Sequence, residues 1–378
     1  MGNPISLEKA LSICQEKPLN LPIEFIPLAN ALNRTLAEDL ISLVDDPAFD
    51  NSAMDGWAVR SNDKTRTEIG ITGAGDEPNP LNPGEAIRIM TGAPIPPGAD
   101  AIVLVEDGLD GPAHTNFIRK RGENIERGAT ILFSGQHLTP ASISLAATMG
   151  YAEIPVFKKP RVAVISTGKE LIEPGKALAP GQIYESNSFG LCALLEKIGC
   201  TPIHHEIVTD SLNNLRDALN NTDCDAILTS GGVSMGEFDF VRKIMEEEGT
   251  IHFWKVAMRP GGPPLFGTWN DTPLFGLPGN PVSSHVVFMT LVAPWLNPNH
   301  NLTKKVRVRL KDAVKGAPKK VCLRRILIEV ENDELSATTS THQGSGNIHS
   351  MVAHNGLTLL PPDTNGQPGQ MIDALWFS

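Results

Sequence analysis

The sequence predicts a multidomain protein of the α/β plus β class, built around a central doubly wound and mostly parallel α/β domain. At 378 residues the chain exceeds one ordinary hydrophobic core, so we expect two to four domains. Between residues 159 and 300, short apolar runs alternate with amphipathic segments, which is typical of a parallel sheet covered by helices on both faces. On either side of this region, segments rich in glycine and proline carry short apolar runs and indicate β-rich modules.

The predicted boundaries divide the chain into four parts. A helix is expected over 5–16 and another over 28–39, and a third opens at Thr139-Pro140 and closes at Gly150. If these helices pack together, the β-rich segment between them is an insertion. The resulting parts are a small helical domain (1–46 plus 135–158), an inserted β-rich domain (47–134), the α/β domain (159–300) and a C-terminal β-barrel-like domain (301–378).

Composition excludes several classes of partner. A net charge of −11 argues against binding to nucleic acid or to an anionic membrane, although a local site can still attract an anion. Five scattered cysteines without a CxxC pair indicate reduced thiols rather than a disulfide framework or a zinc site. The N-terminus lacks a signal-peptide pattern, and the longest apolar run, 286–296, is shorter than the roughly 20 residues that span a bilayer. A soluble, cytoplasmic protein is therefore predicted.

The stretch from Ala226 to Asp239 is the most informative in the chain. A buried strand ends at Ser230, glycines follow, and a helix is predicted over 238–247. Gly231 and Gly232 would let the backbone approach a ligand, and the free N–H groups of the helix's first turn would face an anion. The alternative is a plain strand-to-helix turn with acids that suit the helix dipole.

Other strand ends in the α/β region also carry polar or glycine-rich loops. Glu170, Asp210 and the segment Pro278–Pro281 each follow a predicted strand, and Asn280 and Pro281 suit the start of a helix. Since ligands of such folds bind beyond the carboxyl ends of the strands, these loops predict one composite site.

The residue types at these loops suit magnesium and an anionic substrate. The carboxylates are Asp55, Glu170, Asp210 and Asp239, and the hydroxyls are Ser230 and Ser234. Hard oxygen ligands beside a phosphate-binding loop favour Mg²⁺, whereas histidines and cysteines are dispersed. Lys255 and Arg259 add positive charge near a strand end, unless they are ordinary solvated residues. The sequence has no GxxxxGK[ST], no GxGxxG after the first strand and no GxSxG, which weighs against P-loop, dinucleotide-binding and α/β-hydrolase enzymes.

Several motifs, in this order, carry a family resemblance. They are Asp50-Asn-Ser-Ala-Met-Asp-Gly-Trp-Ala-Val-Arg60, Ile89-Met-Thr-Gly-Ala-Pro94, Arg121-Gly-Glu-Asn-Ile125, Ser166-Thr-Gly-Lys-Glu-Leu171, Gly181-Gln-Ile-Tyr-Glu-Ser-Asn187, the stretch 229–239, Phe253-Trp-Lys255 and Gly276-Leu-Pro-Gly-Asn-Pro281. The chain resembles the molybdopterin molybdenumtransferase family of the MoeA type, which is related to the E domain of gephyrin. The resemblance covers nearly the whole chain and is weakest in the last 70 residues, where Gln343-Gly-Ser-Gly346 is the main link.

This resemblance implies a homodimer whose α/β domain is of the molybdopterin-binding type. It implies Mg²⁺-assisted insertion of molybdate into adenylylated molybdopterin with release of AMP. The cleft would lie between the α/β part of one subunit and the β-rich part of the other. A transient contact with the adenylyltransferase that supplies the substrate is also expected.

The resemblance assigns roles to particular positions. Those implied as catalytic are Asp55, Thr91, Glu170, Asp210 and Asp239; those implied as substrate-binding are Lys255, Arg259, Pro278, Pro281 and Ser345. Within this scheme we expect Asp210 and Asp239, with Glu170, to hold the metal or orient water. Ser230, Gly231, Gly232 and Ser234 would hold an anionic part of the ligand, and Asp55 and Thr91 would reach in from the partner subunit.

Three departures and two alternatives accompany this assignment. Trp57 stands where tyrosine is common, Asn124 where an aspartate is expected, and Gly262 where a basic residue is expected. The loss of charge at Gly262 either weakens anion affinity or means that another residue supplies the charge. The alternatives are a non-catalytic dimeric scaffold of the gephyrin E-domain type and a molybdopterin adenylyltransferase. The retained carboxylates weigh against the scaffold, and the extra β modules weigh against the adenylyltransferase.

Overall fold

A computed structural model describes residues 3–209, 211–233, 239–299, 302–331, 333–339 and 342–377. These residues form two compact units. The smaller unit comprises Ile23–Phe157, and the larger comprises the residues before Ile23 together with those after Phe157. Among the described residues, no helix is long and apolar enough to cross a membrane.

The chain begins in the larger unit. Helix α1 (Leu7–Gln15) starts at Ser6, whose side chain accepts a hydrogen bond from the Lys9 amide, and it buries Ala10 and Cys14. The predicted first helix is thus confirmed, although it groups with the α/β unit rather than with residues 135–157. The chain leaves this unit at Pro22 and returns at Lys158, whose amide donates to the Pro22 carbonyl at 2.9 Å.

The smaller unit is mostly β. It contains β1 (Ile23–Pro27), β2 (Leu40–Ile41), β3 (Asn51–Ser52), β4 (Gly56–Val59), β5 (Thr67–Thr72), β6 (Glu85–Ile89), β7 (Ala101–Leu104), β8 (Ala113–His114), β9 (Ile118–Arg119), β10 (Thr130–Leu132), helix α2 (Pro140–Thr148) and β11 (Glu153–Phe157). Its main sheet has the order β5-β6-β4-β7-β8, and β1 pairs with β11. Thr139 and Ser142 form a reciprocal capping box at the start of α2, as the Thr-Pro signal predicts.

The helix predicted over 28–39 is wrong. Only Leu28–Asn30 form a short 3₁₀ turn, and Asn33 adopts a positive φ of 62°. The amide of Leu36 bonds to the carbonyl of Gln136, so the backbone is paired with a distant segment instead of with itself. Leu36 is buried while Leu32 is half exposed, which shows that the leucine spacing does not mark one helical face.

The larger unit contains the predicted α/β domain. Its elements are β12 (Arg161–Ser166), β13 (Leu171–Ile172), β14 (Ile183–Tyr184), α3 (Asn187–Lys197), β15 (Thr201–His204), α4 (Leu212–Asn220), β16 (Ala226–Ser230), α5 (Phe240–Glu247), β17 (Thr250–Trp254), β18 (Met258–Arg259), β19 (Leu265–Trp269), β20 (Thr272–Leu277), α6 (Pro281–Val287) and α7 (Ala293–Leu296), with a π-helical turn (Phe288–Val292) between the last two. The six-stranded sheet has the order β15-β12-β16-β20-β19-β17. The first four strands are parallel, whereas β19 runs antiparallel to both of its neighbours.

Helices cover both faces of this sheet, as predicted. On one face, Leu191 and Leu195 of α3 and Val286 of α6 pack against alternate residues of β12. On the other face, Leu215 of α4 and Val241 of α5 pack against the remaining residues of the same strand. This two-sided burial explains why β12 and β16 read as continuous apolar runs.

The C-terminal region forms a closed barrel, which confirms the predicted β-barrel-like domain. Its elements are β21 (Thr303–Leu310), β22 (Val321–Cys322), β23 (Arg325–Glu331), β24 (Glu334–Thr338), α8 (His349–Val352), β25 (Gly356–Thr358) and β26 (Met371–Phe377). The barrel order is β21-β24-β23-β25-β26. Strand β22 lies outside it and pairs in parallel with β18, so one short ladder joins the barrel to the α/β domain.

Candidate active site

A cavity of about 650 Å³ lies at the carboxyl ends of β12, β16 and β20. This is the edge at which an open parallel sheet ordinarily binds its ligands. Seven of the residues predicted for the site line it, namely Glu170, Ser230, Gly231, Gly232, Asp239, Pro278 and Pro281. The structure therefore brings together three strand-end loops that are more than 40 residues apart in the sequence.

The glycine loop is built for close backbone approach. Gly231 and Gly232 have φ values of 94° and 68°, which side-chain-bearing residues rarely adopt. A Cβ at residue 231 would lie 2.9 Å from the Thr167 carbonyl oxygen, and one at residue 232 would lie 3.0 Å from a methyl group of Val241. The loop after β16 therefore packs directly on the loop after β12 and on helix α5.

Replacing Gly231 by alanine is expected to lower the free energy of unfolding by about 2 kcal/mol or more, since it adds a left-handed conformation and a backbone clash. Gly279→Ala is the matched control, because a Cβ there would meet only the Gly231 Cα at 3.7 Å. The control is expected to change stability by less than about 0.5 kcal/mol. Urea denaturation of both variants measures the difference. Equal stability of the two variants would contradict the packing role of Gly231.

Asn187 joins two of the strand-end loops. Its side-chain amide donates to Ser230 Oγ and to the Gly279 carbonyl, both at 2.8 Å. Its carbonyl oxygen is buried and has no hydrogen-bond partner among the described residues. Asn187 ends one of the motifs that carry the family resemblance and has no predicted role; the structure places it on the cavity wall.

Glu185, another residue without a predicted role, lines the same cavity and stabilises the backbone next to Asn187. Its buried carboxylate accepts hydrogen bonds from Ser166 Oγ at 3.0 Å and from the Ser188 amide at 2.9 Å. The Ser188 hydroxyl also donates to it and contacts His204 Nε2 at 2.7 Å. These bonds hold the end of β12 against the start of α3, and so position both Asn187 and the glycine loop.

Two of the predicted metal-binding carboxylates line the cavity. Glu170 is exposed in the loop after β12, and Asp239, only 8% exposed, immediately precedes α5. Asp210 and Ser234 lie outside the described residues. No cluster of three or more metal-binding side chains occurs within the described part of the chain. Two carboxylates nevertheless fit Mg²⁺, which proteins usually hold with one or two carboxylates, waters and substrate oxygens.

The predicted basic residues follow β17, close to the same edge of the sheet. Lys255 has a positive φ of 75°, and its ammonium lies 4.0 Å from the centre of the Trp254 ring. Arg259 ends β18 and is exposed. Neither residue lines the cavity, although Pro263, in the same loop, does. Ser345 is next to Gly346, which lines the cavity, and its carbonyl accepts a hydrogen bond from the Val282 amide.

Arg325 is a functional candidate that the sequence analysis missed. It is completely buried, and its guanidinium donates to Ser350 Oγ and to the Gly344 carbonyl, both at 3.0 Å. One terminal nitrogen has no partner, and no carboxylate among the described residues pairs with this cation. Burial, aided by the nearby Arg324 charge, lowers the pKa of Arg325 to about 10, so it remains charged at neutral pH. A buried cation without a counter-charge is costly, which makes Arg325 a candidate anion-binding residue. It does not itself line the cavity.

Asp55 and Thr91 lie in the smaller unit and are bonded to each other. The Thr91 amide and hydroxyl donate to one oxygen of the exposed Asp55 carboxylate, at 2.7 and 2.8 Å. These bonds lower the pKa of Asp55, the backbone bond having the larger effect. Asp55 and Thr91 are thus in direct contact on a surface of the smaller unit, and the Asp55 carboxylate is ionised at neutral pH. Of the two departures in this unit, Trp57 donates to Glu68 at 2.7 Å, and Asn124 donates to Asp46 at 3.1 Å.

Comparisons with known proteins agree with this architecture. Family models match residues 5–150 as MoeA N-terminal region (domain I and II), residues 163–298 as probable molybdopterin binding domain, and residues 307–377 as MoeA C-terminal region (domain IV). The chain is 40% identical over 308 residues to a molybdopterin molybdenumtransferase of Haemophilus influenzae, covering 77% of this chain and 76% of that protein. It is 35% identical over 387 residues to that of Bacillus subtilis, covering 93% and 89%.

A solved structure matches the whole chain. It is a molybdopterin biosynthesis MoeA protein from Pyrococcus horikosii, which is 32% identical, with a TM-score of 0.84 and complete coverage of both chains. The fold, the cavity and these matches define a transferase of molybdenum cofactor biosynthesis. The chain belongs to the molybdopterin molybdenumtransferase family.

Proposed function

We propose that this protein catalyses the Mg²⁺-dependent insertion of molybdate into adenylylated molybdopterin, with release of AMP. The observation that carries this proposal is the buried guanidinium of Arg325, which has one donor without a partner, in a domain whose residue Gly346 lines the carboxylate-bearing cavity. The glycine loop of the α/β domain would then bind a phosphate group, and Arg325 of the C-terminal domain would bind an oxyanion. The named activity of the relatives supports the same reaction.

The cavity residues have distinct roles in this reaction. The left-handed loop at Gly231 and Gly232 presents backbone to an anionic part of the nucleotide or pterin. Asn187 holds Ser230 in place at the end of β16. Asp239 and Glu170 would hold the metal or orient water at the phosphoryl group, with Asp210 as the third predicted carboxylate. When bound there, Mg²⁺ would neutralise charge on the phosphoryl oxygens.

Molybdate is expected to bind on the barrel side of the site. Arg325 contacts the backbone of Gly344, and Gly346, two residues later, lines the cavity. The segment 343–346 therefore connects the buried cation to the cavity, and Ser345 lies within it. A planar guanidinium with a vacant donor suits the oxygens of a tetrahedral oxyanion.

We propose further that the active site is shared between two subunits of a homodimer. The smaller unit exposes large apolar side chains, including Phe25 at 65%, Phe133 at 55%, Ile41, Leu43 and Phe49. Exposed apolar surface of this kind favours a protein–protein interface. In such a dimer the ionised Asp55, held by Thr91, would complete the site of the partner subunit. The adenylyltransferase that supplies the substrate would be a transient partner.

Mixed dimers test the shared site. Asp55→Asn and Asp239→Asn variants are each expected to be inactive, but co-refolding them in equal amounts should restore about a quarter of wild-type AMP release. Half of the dimers would then be mixed, and each mixed dimer would contain one intact site. Co-refolded wild type and either variant alone are the controls. A complete absence of activity in the mixture, with dimers present by light scattering, would contradict a site that combines these residues from two chains.

The reaction itself is tested by incubating the protein with adenylylated molybdopterin, molybdate and Mg²⁺. AMP release together with active cofactor supports the proposal. Tight binding without AMP release would favour the alternative of a dimeric scaffold. Formation of adenylylated molybdopterin from ATP and molybdopterin would favour the adenylyltransferase alternative.

A further inference from the structure

Lys320 lies next to the space that a side chain at position 262 would fill. A Cβ on Gly262 would lie 3.7 Å from the ammonium nitrogen of Lys320 and 3.3 Å from the Met258 carbonyl oxygen. Gly262 does not have a positive φ, so its backbone does not itself require glycine. The ammonium of Lys320, from the C-terminal region, therefore lies beside the position that a side chain at residue 262 would take.

The ladder between β18 and β22 fixes the backbone near Lys320. The Val321 amide donates to the Ala257 carbonyl at 2.9 Å, and the Leu323 amide donates to the Arg259 carbonyl at 2.8 Å. On the other side of the loop, the Val256 amide donates to the Gly262 carbonyl at 2.9 Å. The base of the lysine and the loop beside it are thus held by the same short ladder, which places its ammonium beside Gly262. The next residue of that loop, Pro263, lines the cavity.

Lys320 has no ion pair or hydrogen bond to its ammonium among the described residues, although it is partly buried. Three arginines lie close to Cys322, two residues along the chain from Lys320. Arg324, Arg259 and Arg325 oppose the rise in the pKa of the Cys322 thiol that burial causes. None of the three forms an ion pair within the described part of the chain. Such a cluster is costly unless an anion binds to it.

We propose that Lys320 is an oxyanion-binding residue of the active site, and that it supplies at the loop 259–263 the positive charge that Gly262 lacks. This inference rests on the proposed function. The anion is a tetrahedral oxyanion, which is either molybdate or the phosphate monoester of the pterin. A solvated lysine that only covers the loop is the competing interpretation, and it predicts no effect on either anion.

The test measures equilibrium binding of molybdate alone and of inorganic phosphate alone to the full-length protein by calorimetry. Lys320→Ala is expected to weaken the binding of at least one of these anions about 10-fold or more. Lys320→Arg should bind within about 3-fold of the wild type, because it keeps the charge. Lys319→Ala is the matched control, since it removes the same charge from the exposed neighbouring residue, and it should bind within about 2-fold of the wild type.

A double variant that moves the positive charge from residue 320 to residue 262 is the decisive test. Gly262→Lys combined with Lys320→Ala puts an ammonium back into the same space, and it is expected to recover most of the lost affinity. Weaker molybdate binding by Lys320→Ala assigns the lysine to molybdate, and weaker phosphate binding assigns it to the phosphate monoester. Unchanged binding of both anions, in a Lys320→Ala protein that melts like the wild type, would overturn the inference. Absence of AMP release and of anion binding by the wild type would instead refute the proposed function.

Discussion

Asp239→Asn is expected to fold and to bind adenylylated molybdopterin, but to release AMP at least about 100-fold more slowly than the wild type. The substitution preserves size and removes only the negative charge. Asp239 is almost completely buried at the cavity wall and immediately precedes α5, so its carboxylate lies where a ligand of the cavity would bind. A single-turnover assay of AMP release, with substrate binding measured separately, distinguishes loss of chemistry from loss of affinity.

The matched control is Asp217→Asn, which removes a carboxylate from the exposed side of α4. It should retain wild-type turnover. If Asp239→Asn also turns over normally, the assignment of Asp239 to the reaction is wrong. If it loses binding as well as turnover, Asp239 holds the substrate rather than acting on it.

Arg325→Met is expected to weaken molybdate binding about 100-fold or more, since it removes the buried guanidinium and its unpaired donor. Methionine is unbranched and fills most of the arginine volume. The variant loses the hydrogen bonds to Ser350 and Gly344, but it also removes a buried charge, so its free energy of unfolding should change by less than about 2 kcal/mol. Arg309→Met, on the barrel surface, is the control and should bind molybdate normally.

The pKa of Arg325 gives this prediction a second readout. Its folded-state pKa of about 10 lies below the ordinary value for arginine, so the buried charge lowers stability at every pH below about 10. A bound oxyanion offsets this cost, and molybdate should therefore raise the melting temperature of the wild type. The same molybdate concentration should leave the melting temperature of Arg325→Met unchanged. An equal shift in both proteins would show that molybdate binds elsewhere.

Sequence patterns predicted correctly those elements whose formation depends on residues close together in the chain. The helix start at Thr139 and the glycine loop after β16 depend on residues within a few positions of each other. The helix predicted over 28–39 fails because Leu36 is bonded to Gln136, a partner about 100 residues away. No pattern in a single stretch of chain records such a partner.

The antiparallel pair β19 and β20 of the α/β sheet could have been predicted from the residues of the turn between them. Asn270 and Asp271 both have positive φ, and they connect β19 to β20 as a two-residue hairpin turn. Asn and Asp between two apolar runs are typical of this turn. The hairpin reverses the chain direction, and it separates β17 from the parallel strands.

Prediction of the candidate active site is limited in the same way, because contacts between distant residues leave no pattern in a single stretch of sequence. The glycine loop, Glu170 and Pro278–Pro281 follow strands of a predicted parallel sheet, whose carboxyl ends share one edge, so their meeting at that edge was predictable. Arg325 was not found, because an arginine in a strand is ordinarily exposed. A signal did exist: in the apolar run 321–328, Arg324 and Arg325 are adjacent, and side chains of adjacent strand residues point to opposite faces. Which of the two is buried depends on closure of the barrel.

The hydrogen bond from the Lys158 amide to the Pro22 carbonyl has an evolutionary consequence. The two ends of the smaller unit leave the larger unit side by side, so a gene segment encoding residues 23–157 can be gained or lost there without breaking any strand of the six-stranded sheet. An ancestral α/β domain with its glycine loop could thus acquire Asp55 and Thr91 in a single recombination event. The smaller unit, with the proposed site residues Asp55 and Thr91, would then be a later addition to an older α/β fold.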